Sequence, residues 1–555
     1  MNGDKQLVPT HWTTGWTTVL DTGTWRSTLP VHTWRPAPCF VNCPLGNDIP
    51  TWIGLAADEN FYEAWLALVE NNPLPAVIGR VCHHPCQTDC NRKTLEGAVG
   101  INSLEQYLGD MALQEGWAFP AASESLGKRV AVVGGGPAGL SAAYQLQRLG
   151  IDVTIHEAQP HLGGVLRYGI PEYRLPKAVL EKEIQRILDL GVSVRTFAPV
   201  ADAAALAKLQ EEYDAVFVAT GAGQAKMLGH LEEAGALSGI DFLRTLAVCE
   251  TAPELGARVV VVGGGSAAMD MARSSLRLGR TVSLVVLEER EAMLAQEDEV
   301  VDAIEEGASL FNGTMIDKVE KAADGSLLLQ CIRVALDPDA PPGEFRPIAK
   351  EGGDFTLEAD SVLVAIGQDA DLSVLGDAVE AAGGIVKVDA GQAAGAGIYA
   401  GGDVATMNRY VSVAVGDGKK AARSMATALG VGDVEPVEEY TLAEAVTSEE
   451  INTYYFPEIE PTERQKAPVA ERMSDFRETR TGLSFAEAAQ ETVRCMSCGT
   501  CIECDNCFVF CSDMAVTKEP DTELHYSVLK QYCKGCGLCA VECPRGCIIM
   551  IGETE

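Results

Sequence analysis

The chain has 555 residues, 47 % of them hydrophobic and 22 % charged, and a formal net charge of −36. That length exceeds what one compact core can use and predicts on the order of three or four domains. The acidic balance excludes a nucleic-acid or anionic-membrane surface, and a basic patch on a protein partner is the most it can favour.

No basic stretch leads into an apolar run at the start, and no run of about 18 apolar residues occurs, so the expectation is a cytoplasmic, soluble chain without a membrane span. The 18 cysteines fall in two groups, five between Cys39 and Cys90 and eleven between Cys495 and Cys547. Clustered cysteines in a chain without a secretion signal point to metal rather than to disulfides. Cys249 and Cys331 stand apart and are expected to be small buried hydrophobes.

In chain order, residues 1–35 form an extension rich in Trp and Thr without clear periodicity. Residues 36–127 combine helical stretches (FYEAWLALVE, INSLEQYLGDMALQ) with Cys39-x3-Cys43-Pro44 and with Cys82, Cys86 and Cys90 in GRVCHHPCQTDCNR. His83 and His84 sit inside that second group, where loop histidines are more often neighbours or surface than ligands.

From 128 the pattern changes to short Val/Ala/Ile strands alternating with amphipathic helices, the signature of doubly wound α/β domains. KRVAVVGGGPAGLSAAYQLQRLG carries Gly134-x-Gly136-x-x-Gly139, and the following strand IDVTIHE ends in Glu157. Such glycines permit a tight turn and close approach of the backbone to a pyrophosphate, while the acidic residue suits a ribose hydroxyl. ARVVVVGGGSAAMDMARSSLRLG repeats the design with Gly263-x-Gly265-x-x-Ala268, and TVSLVVLEER supplies Glu288. Two fingerprints with further sheet-like sequence after the second suggest an NAD(P) domain inserted into an FAD domain.

Residues 431–490 are acidic and contain prolines, and read as a linker that wraps or spaces. The last segment contains Cys501-x2-Cys504-x2-Cys507-x3-Cys511 and Cys533-x2-Cys536-x2-Cys539-x3-Cys543-Pro544. This doubled spacing is that of two-cluster bacterial ferredoxins, in which the fourth cysteine of each run serves the other cluster. It assigns Cys501, Cys504, Cys507 and Cys543 to one [4Fe–4S] cluster and Cys533, Cys536, Cys539 and Cys511 to a second. Structural zinc sites generally lack this run. Cys495, Cys498 and Cys547 are left over, as spare thiols or as an alternative ligand register.

Several of these segments carry a family resemblance. ATG at 219–221, AIG at 365–367 and GIYAGGDV at 397–404 resemble the flavoproteins with two dinucleotide-binding domains, and HLGGVLRYGIPEYRLPKAVLEKEI at 161–184 is similar to the small (β) subunit of glutamate synthase. The same module occurs in dihydropyrimidine dehydrogenase and in electron-bifurcating transhydrogenases, and the resemblance spans roughly residues 36–430. It implies an α/β fold with two Rossmann-like domains, the NAD domain inserted in the FAD domain, flanked by an N-terminal helical Fe–S domain and a C-terminal α+β ferredoxin-like domain. The expected divisions are 1–35, 36–127, 128–240 with 371–430 (FAD), 241–370 (NAD), 431–490 and 491–555.

By the same resemblance Gly134, Gly136, Gly139, Glu157, Gly164, Gly402 and Asp403 fall on FAD-contacting positions. NADPH-using members usually carry two arginines where this chain has Leu287 and Glu288; a glutamate repels a 2′-phosphate and accepts from a 2′-hydroxyl, which favours NAD(H) over NADP(H). The related subunits hold two N-terminal clusters. One of these, carried over, would use Cys43, Cys82, Cys86 and Glu105. The other needs a CxxC where this chain has Val31 and Trp34, and is expected to be lost; a complete pair with ligands from elsewhere and no N-terminal cluster at all are the alternatives.

The implied activity is that of an electron-transfer subunit. Hydride passes between nicotinamide and FAD, and single electrons pass between FAD and the clusters; no side chain is predicted to be catalytic, His156 included. The implied partner is the catalytic part of a larger redox complex, by resemblance a thiamine-diphosphate 2-oxoacid:ferredoxin oxidoreductase or a related anaerobic enzyme, or else ferredoxin. The rival readings are a stand-alone NAD(P)H:ferredoxin oxidoreductase and an NADPH-dependent glutamate synthase small subunit.

Overall fold

The structure, a computed structural model, describes residues 21, 23, 26–248, 254–340, 345–376, 378–431, 440–519 and 525–552. Cys249 and most of the N-terminal extension lie outside them. Cys331 is buried in the Leu327–Leu336 strand, at 1 % exposure.

Two mainly parallel sheets form the centre. The six-stranded one runs, edge to edge, Ala393–Gly395, Ile398–Ala400, Ala215–Val218, Arg129–Val133, Asp152–His156 and Ser193–Arg195; the first pair is antiparallel and the rest are parallel. Val130 to Val133 are buried on both faces, which is why this strand reads as an unbroken apolar run rather than an alternation. The helices Pro137–Arg148 and Val411–Ala428 pack against each other, and a Cβ on Gly418 would stand 2.2 Å from the Ala138 carbonyl oxygen. Only glycine permits so close a crossing.

The second sheet is five-stranded and parallel, ordered Ser309–Phe311, Thr281–Val285, Arg258–Val262, Ser361–Val364 and Leu237–Ser238. An antiparallel sheet of Thr314–Lys321, Leu327–Leu336, Pro347–Ala349 and Phe355–Ala359 comes before its return strand. The chain therefore leaves the first sheet, builds the second and comes back. The Leu237–Ser238 strand precedes the division expected at 241.

Residues 38–115 supply five helices, of which Pro75–Val81 and Ile101–Glu115 cross most closely. A Cβ on Gly79 would meet the Gln106 backbone nitrogen at 2.3 Å, and one on Gly109 the Ala76 nitrogen at 2.3 Å. That crossing fixes Glu105 beside the cysteine loop that follows Val81.

The segment after 440 wraps rather than merely spaces. Val446 N–H donates to the Pro36 carbonyl and Thr479 N–H to the Tyr173 carbonyl, while Arg464 reaches the Gly79 carbonyl and the Gln106 side chain. In the cysteine-rich tail the last strand, Ile548–Gly552, pairs antiparallel with Thr28–His32 from the extension. The extension is thus part of the tail's sheet, a long-range pairing that five residues without a turn signal do not announce.

Candidate functional site

Each fingerprint is a buried strand running into a turn built for glycine. Gly134 has φ +106° and a Cβ there would stand 2.4 Å from the Ala219 carbonyl oxygen; Gly263 has φ +139° and the corresponding approach to Ala365 is 2.3 Å. Gly139 lies close against the turn, where a Cβ would meet the Gly134 carbonyl at 2.0 Å, and Ala268 at the matching position is fully buried. Gly136 and Gly265 immediately precede their helices, whose first N–H groups and positive dipole end lie in the turn. The space above both turns is open. A Cβ on Gly265 meets nothing within 4 Å, and one on Gly136 meets Gly164 Cα at 3.9 Å. These are cradles of the shape a pyrophosphate fills.

The acidic residues arrive where the fingerprint expects them. Glu157 is buried, accepting from Gly135 N–H (2.8 Å) and Gln159 N–H (2.8 Å). Each carboxylate oxygen keeps a lone pair for a further donor such as a ribose hydroxyl. Glu288 is also buried, its Oε2 3.0 Å from where a Cβ on Gly264 would stand, and burial pushes its carboxyl above the ordinary value. Arg290, two residues further, is paired with Glu297 at 2.5 Å. A 2′-phosphate at this turn would meet a carboxylate; a 2′-hydroxyl would meet an acceptor.

Gly402, at φ +72°, begins a short turn whose N–H donates to Asp417 at 3.0 Å. Burial pushes the Asp417 carboxyl up to about 6. Asp403 beside it is also raised by burial, with Arg409 opposing. The sequence did not single out Asp417, yet it sets the turn that presents Asp403, and an acid set between two helical glycines, Gly416 and Gly418, is the signal that could have found it. His156 is buried, its imidazole held below the usual value chiefly by burial, and its Nε2 lies 3.5 Å from the Tyr213 hydroxyl.

The N-terminal ligand candidates come together in one small cavity, lined by Cys43, Cys82, Cys86 and Glu105 together with Asn47 and Asn102. Asn72 Nδ2 donates to Glu105 at 2.8 Å, and burial pushes the Glu105 carboxyl up to about 8. An acid this buried, facing three thiols, fits a cationic iron centre. His84 N–H donates to Cys82 Sγ at 3.2 Å, and His83 Nε2 lies 3.2 Å from Ser266 Oγ at the second fingerprint. The Val411–Ala428 helix links this cavity to the first fingerprint. A Cβ on its Gly416 would meet the Pro44 carbonyl at 2.1 Å, while Gly418 approaches Ala138.

In the tail, Cys511 lines a cavity with Cys533, Cys536 and Cys539. Cys543 lies among the other run. Burial raises the Cys507 thiol, and Cys501, Cys504, Cys539 and Cys543 raise it further. The fourth cysteine of each run therefore faces the opposite run, the interleaving that two-cluster spacing requires. Cys547 is also here, its Sγ 3.5 Å from Cys543 Sγ. Among the described residues no three His, Cys, Asp or Glu side chains converge tightly enough to share a single ion. In a four-iron cluster each thiolate binds a different iron, so its ligands stand further apart.

Comparison with known proteins gives the same outline. Residues 128–421 match the family model for pyridine nucleotide-disulphide oxidoreductases, and residues 34–117 the model for dihydropyrimidine dehydrogenase domain II, 4Fe-4S cluster. The chain is 37 % identical over 511 residues to the NADP(+)-dependent formate dehydrogenase subunit beta of Moorella thermoacetica, covering 84 % of this chain and 71 % of that one. It is 34 % identical over 509 residues to the NADPH-Fe(3+) oxidoreductase subunit beta of Geobacter sulfurreducens, covering 83 % and 75 %. Against the NAD-dependent dihydropyrimidine dehydrogenase subunit PreT of Salmonella typhimurium the identity is 32 % over 394 residues, covering 70 % of this chain and 90 % of that one.

Proposed function

The chain belongs to the pyridine nucleotide-disulphide oxidoreductase family, with a 4Fe-4S domain ahead of the dinucleotide-binding region, and we propose that it is the NADH-side electron-transfer subunit of a larger redox complex. It is an iron–sulfur flavoprotein oxidoreductase subunit that exchanges electrons with NAD(P)H, in keeping with relatives named as subunits of NADP(+)-, NADPH- and NAD-dependent enzymes. The bound groups would supply hydride acceptance at the flavin and single-electron steps at the clusters.

What the chain itself does is position and insulate. Gly134, Gly136, Gly139, Gly164, Glu157, Gly402 and Asp403 would hold FAD at the first sheet, and Gly263, Gly265, Ala268 and Glu288 would hold NAD at the second. Cys43, Cys82, Cys86 and Glu105 would hold one [4Fe–4S] cluster. Two more would sit on Cys501, Cys504, Cys507 and Cys543, and on Cys533, Cys536, Cys539 and Cys511. The observation that carries this reading is the interleaving of Cys511 and Cys543 with the opposite cysteine runs, in a chain whose centre is two dinucleotide folds.

The relatives' names divide between NADP and NAD, and Glu288 supports NAD here. Those names also divide the enzyme each relative is a subunit of, an NADP(+)-dependent formate dehydrogenase, an NADPH-Fe(3+) oxidoreductase and an NAD-dependent dihydropyrimidine dehydrogenase. The ferredoxin-type tail supports a thiamine-diphosphate 2-oxoacid oxidoreductase as this chain's partner, over glutamate synthase or a free ferredoxin.

The test is anaerobic purification of the native complex, with flavin, iron and sulfide measured on the chain and the associated subunits identified. FAD together with cluster signals in the EPR spectrum after NADH addition is the expected result. A chain that retains flavin but no iron would overturn the wire, and a partner that oxidises formate or a dihydropyrimidine would overturn the 2-oxoacid assignment.

A further inference from the structure

Cys39 and Cys90 lack the partners that a second N-terminal cluster needs, because the CxxC expected near residues 31–34 is missing from the sequence. The fold brings another CxxC to them. Cys39 sits on the short Pro38–Val41 helix and Cys90 heads the Asn91–Thr94 turn. Cys495 packs into the same buried core as both, and the side chain of Asn91, next to Cys90, donates to Cys498 Sγ at 3.5 Å. Cys39 lies within electrostatic reach of Cys495, Cys498, Cys90 and Cys86.

Cys495 and Cys498 are held there by several anchors. Arg35 N–H donates to the Gly499 carbonyl at 3.2 Å, and a Cβ on Gly499 would meet the Arg35 carbonyl at 1.9 Å. Arg494, wholly buried, donates to the carbonyls of Gly97 (2.7 Å) and Ala98 (3.0 Å), and Glu491 accepts from Gly100 N–H at 2.6 Å.

The loop has the conformation of the other cysteine loops. In each, the second residue after the leading cysteine takes a positive φ and turns its N–H back to that sulfur. This holds for His84 (φ 41°, 3.2 Å to Cys82), Gly535 (φ 66°, 3.4 Å to Cys533) and Glu503 (φ 53°, bonded to Cys501). Ser497 does the same, with φ 45° and 3.4 Å to Cys495. A non-glycine residue in that region is strained and persists where the surroundings demand it.

Arg545 adds a second, independent sign. Its Nε and Nη1 are buried without an acceptor among the described residues, and the thiols that act on it are those of Cys495, Cys498, Cys504 and Cys543. Unspent donors on a cation, facing four cysteines, fit the sulfurs of anionic clusters on either side.

We propose that Cys39, Cys90, Cys495 and Cys498 hold a fourth [4Fe–4S] cluster, whose ligands are shared between the N-terminal helical domain and the segment leading into the tail. The inference rests on the cluster-bearing reading above and replaces the expected loss of this site. It also closes the electron path. Cys39 and Cys43 lie four residues apart, as do Cys86 and Cys90, so this cluster adjoins the one at Glu105. Cys498 and Cys501 are three residues apart, at most about 11 Å of extended chain, so it also adjoins the tail pair. An electron pair that reached the flavin as a hydride would leave it one electron at a time, each cluster taking up one electron and releasing it to the next.

The test compares the full-length holoprotein with a Cys495→Ser/Cys498→Ser variant and with separate Cys43→Ser and Cys501→Ser controls, all reconstituted anaerobically. Iron, sulfide and zinc per FAD are measured, together with EPR after dithionite reduction. The double variant is expected to lose about a quarter of the iron and sulfide and one EPR component, with its flavin absorbance retained. Cys39→Ser, which leaves the tail segment intact, should lose the same component. Unchanged iron in both variants, with iron lost in the controls, would overturn the fourth cluster and leave the other three standing; zinc released in place of iron would overturn it equally. No iron loss in any variant would instead sink the underlying reading.

Discussion

Glu288 stands at the turn of the second fingerprint, buried and with its oxygen close to Gly264, and no cation figures among the causes of its raised pKa. Burying a carboxylate without a counter-charge is unfavourable unless a ligand donates to it. A ribose 2′-hydroxyl is such a donor and a 2′-phosphate is the opposite. Glu288→Arg should therefore shift the ratio of kcat/KM for NADH over NADPH at least about tenfold toward NADPH, a change of about 1.4 kcal/mol. Steady-state reduction of an artificial acceptor measures it, and an unmoved ratio would remove Glu288 from the nicotinamide site. Glu157 is its counterpart at the first fingerprint, bonded to Gly135 N–H. Both carboxylates were legible in the sequence because strand, turn, helix and acidic end fall within one short stretch of chain. Asp417 was not, since its role depends on a turn contributed by a different element.

Among elements, the segment from 464 to 480 works as a strap. Lys466, Arg472 and Arg480 reach Asp302 and its neighbours Asp298, Glu305 and Glu306 at the end of the Glu297–Glu305 helix, while Arg464 and Thr479 bond to the N-terminal helices and to Tyr173. The second sheet is thereby tied to the domain that carries the first cysteine cavity. For Asp302, burial alone would raise the pKa, but Arg273, Lys466 and Arg480 more than offset it; for Glu306, Arg273 and Arg277 do the same. A carboxylate whose folded pKa is depressed contributes stability that is fully present above its unfolded value, about 3.9 for Asp and 4.3 for Glu, and lost as pH falls through the folded value. The strap is accordingly tight at neutral pH and loosens below about pH 4. Arg472 is almost fully buried, so Arg472→Met, which keeps most of the stem, should cost about 1.5–3 kcal/mol at pH 7 by removing charge-assisted hydrogen bonds to Asp302, Glu305 and Glu306, which keep Arg273, Arg277 and Lys466 as partners. Calorimetry at pH 7 and at about pH 3 checks this, with a smaller difference from wild type at the lower pH. An identical transition at pH 7 would show that the strap is held by other contacts. The acidic, proline-containing composition announced an extended segment but not this grip, because its cations pair with residues far away in sequence. The Thr28–His32 strand and the Cys495 loop escaped sequence reading for the same reason, each completing a structure whose other half lies at the opposite end of the chain.

At the scale of the whole molecule, segments far apart in the sequence meet. The extension pairs with the last strand, and the cysteine-rich tail rests on the helical domain through Arg35, Arg494 and Glu491. The tail's cysteines reach the surface at Cys504 and Cys536, which are exposed, so electrons passed along the chain would leave from that end. The net charge of −36 places this exit on a strongly negative body, whose field acts over roughly a Debye length, about 8 Å at physiological salt. Encounter with a basic acceptor surface should be accelerated by steering, by about 10-fold or more at low ionic strength. The rate at which NADH-reduced protein reduces a small basic electron-transfer protein should therefore fall as salt is raised from about 0.01 M to about 0.15 M, the range over which the Debye length shrinks from about 30 Å to about 8 Å. Flavin reduction by NADH, which does not require encounter with a protein, should change far less. Stopped-flow traces at the flavin and acceptor wavelengths separate the two steps. If the acceptor rate is flat across that range, the acidic surface does not guide the partner, and recognition must rest on short-range contacts at the tail.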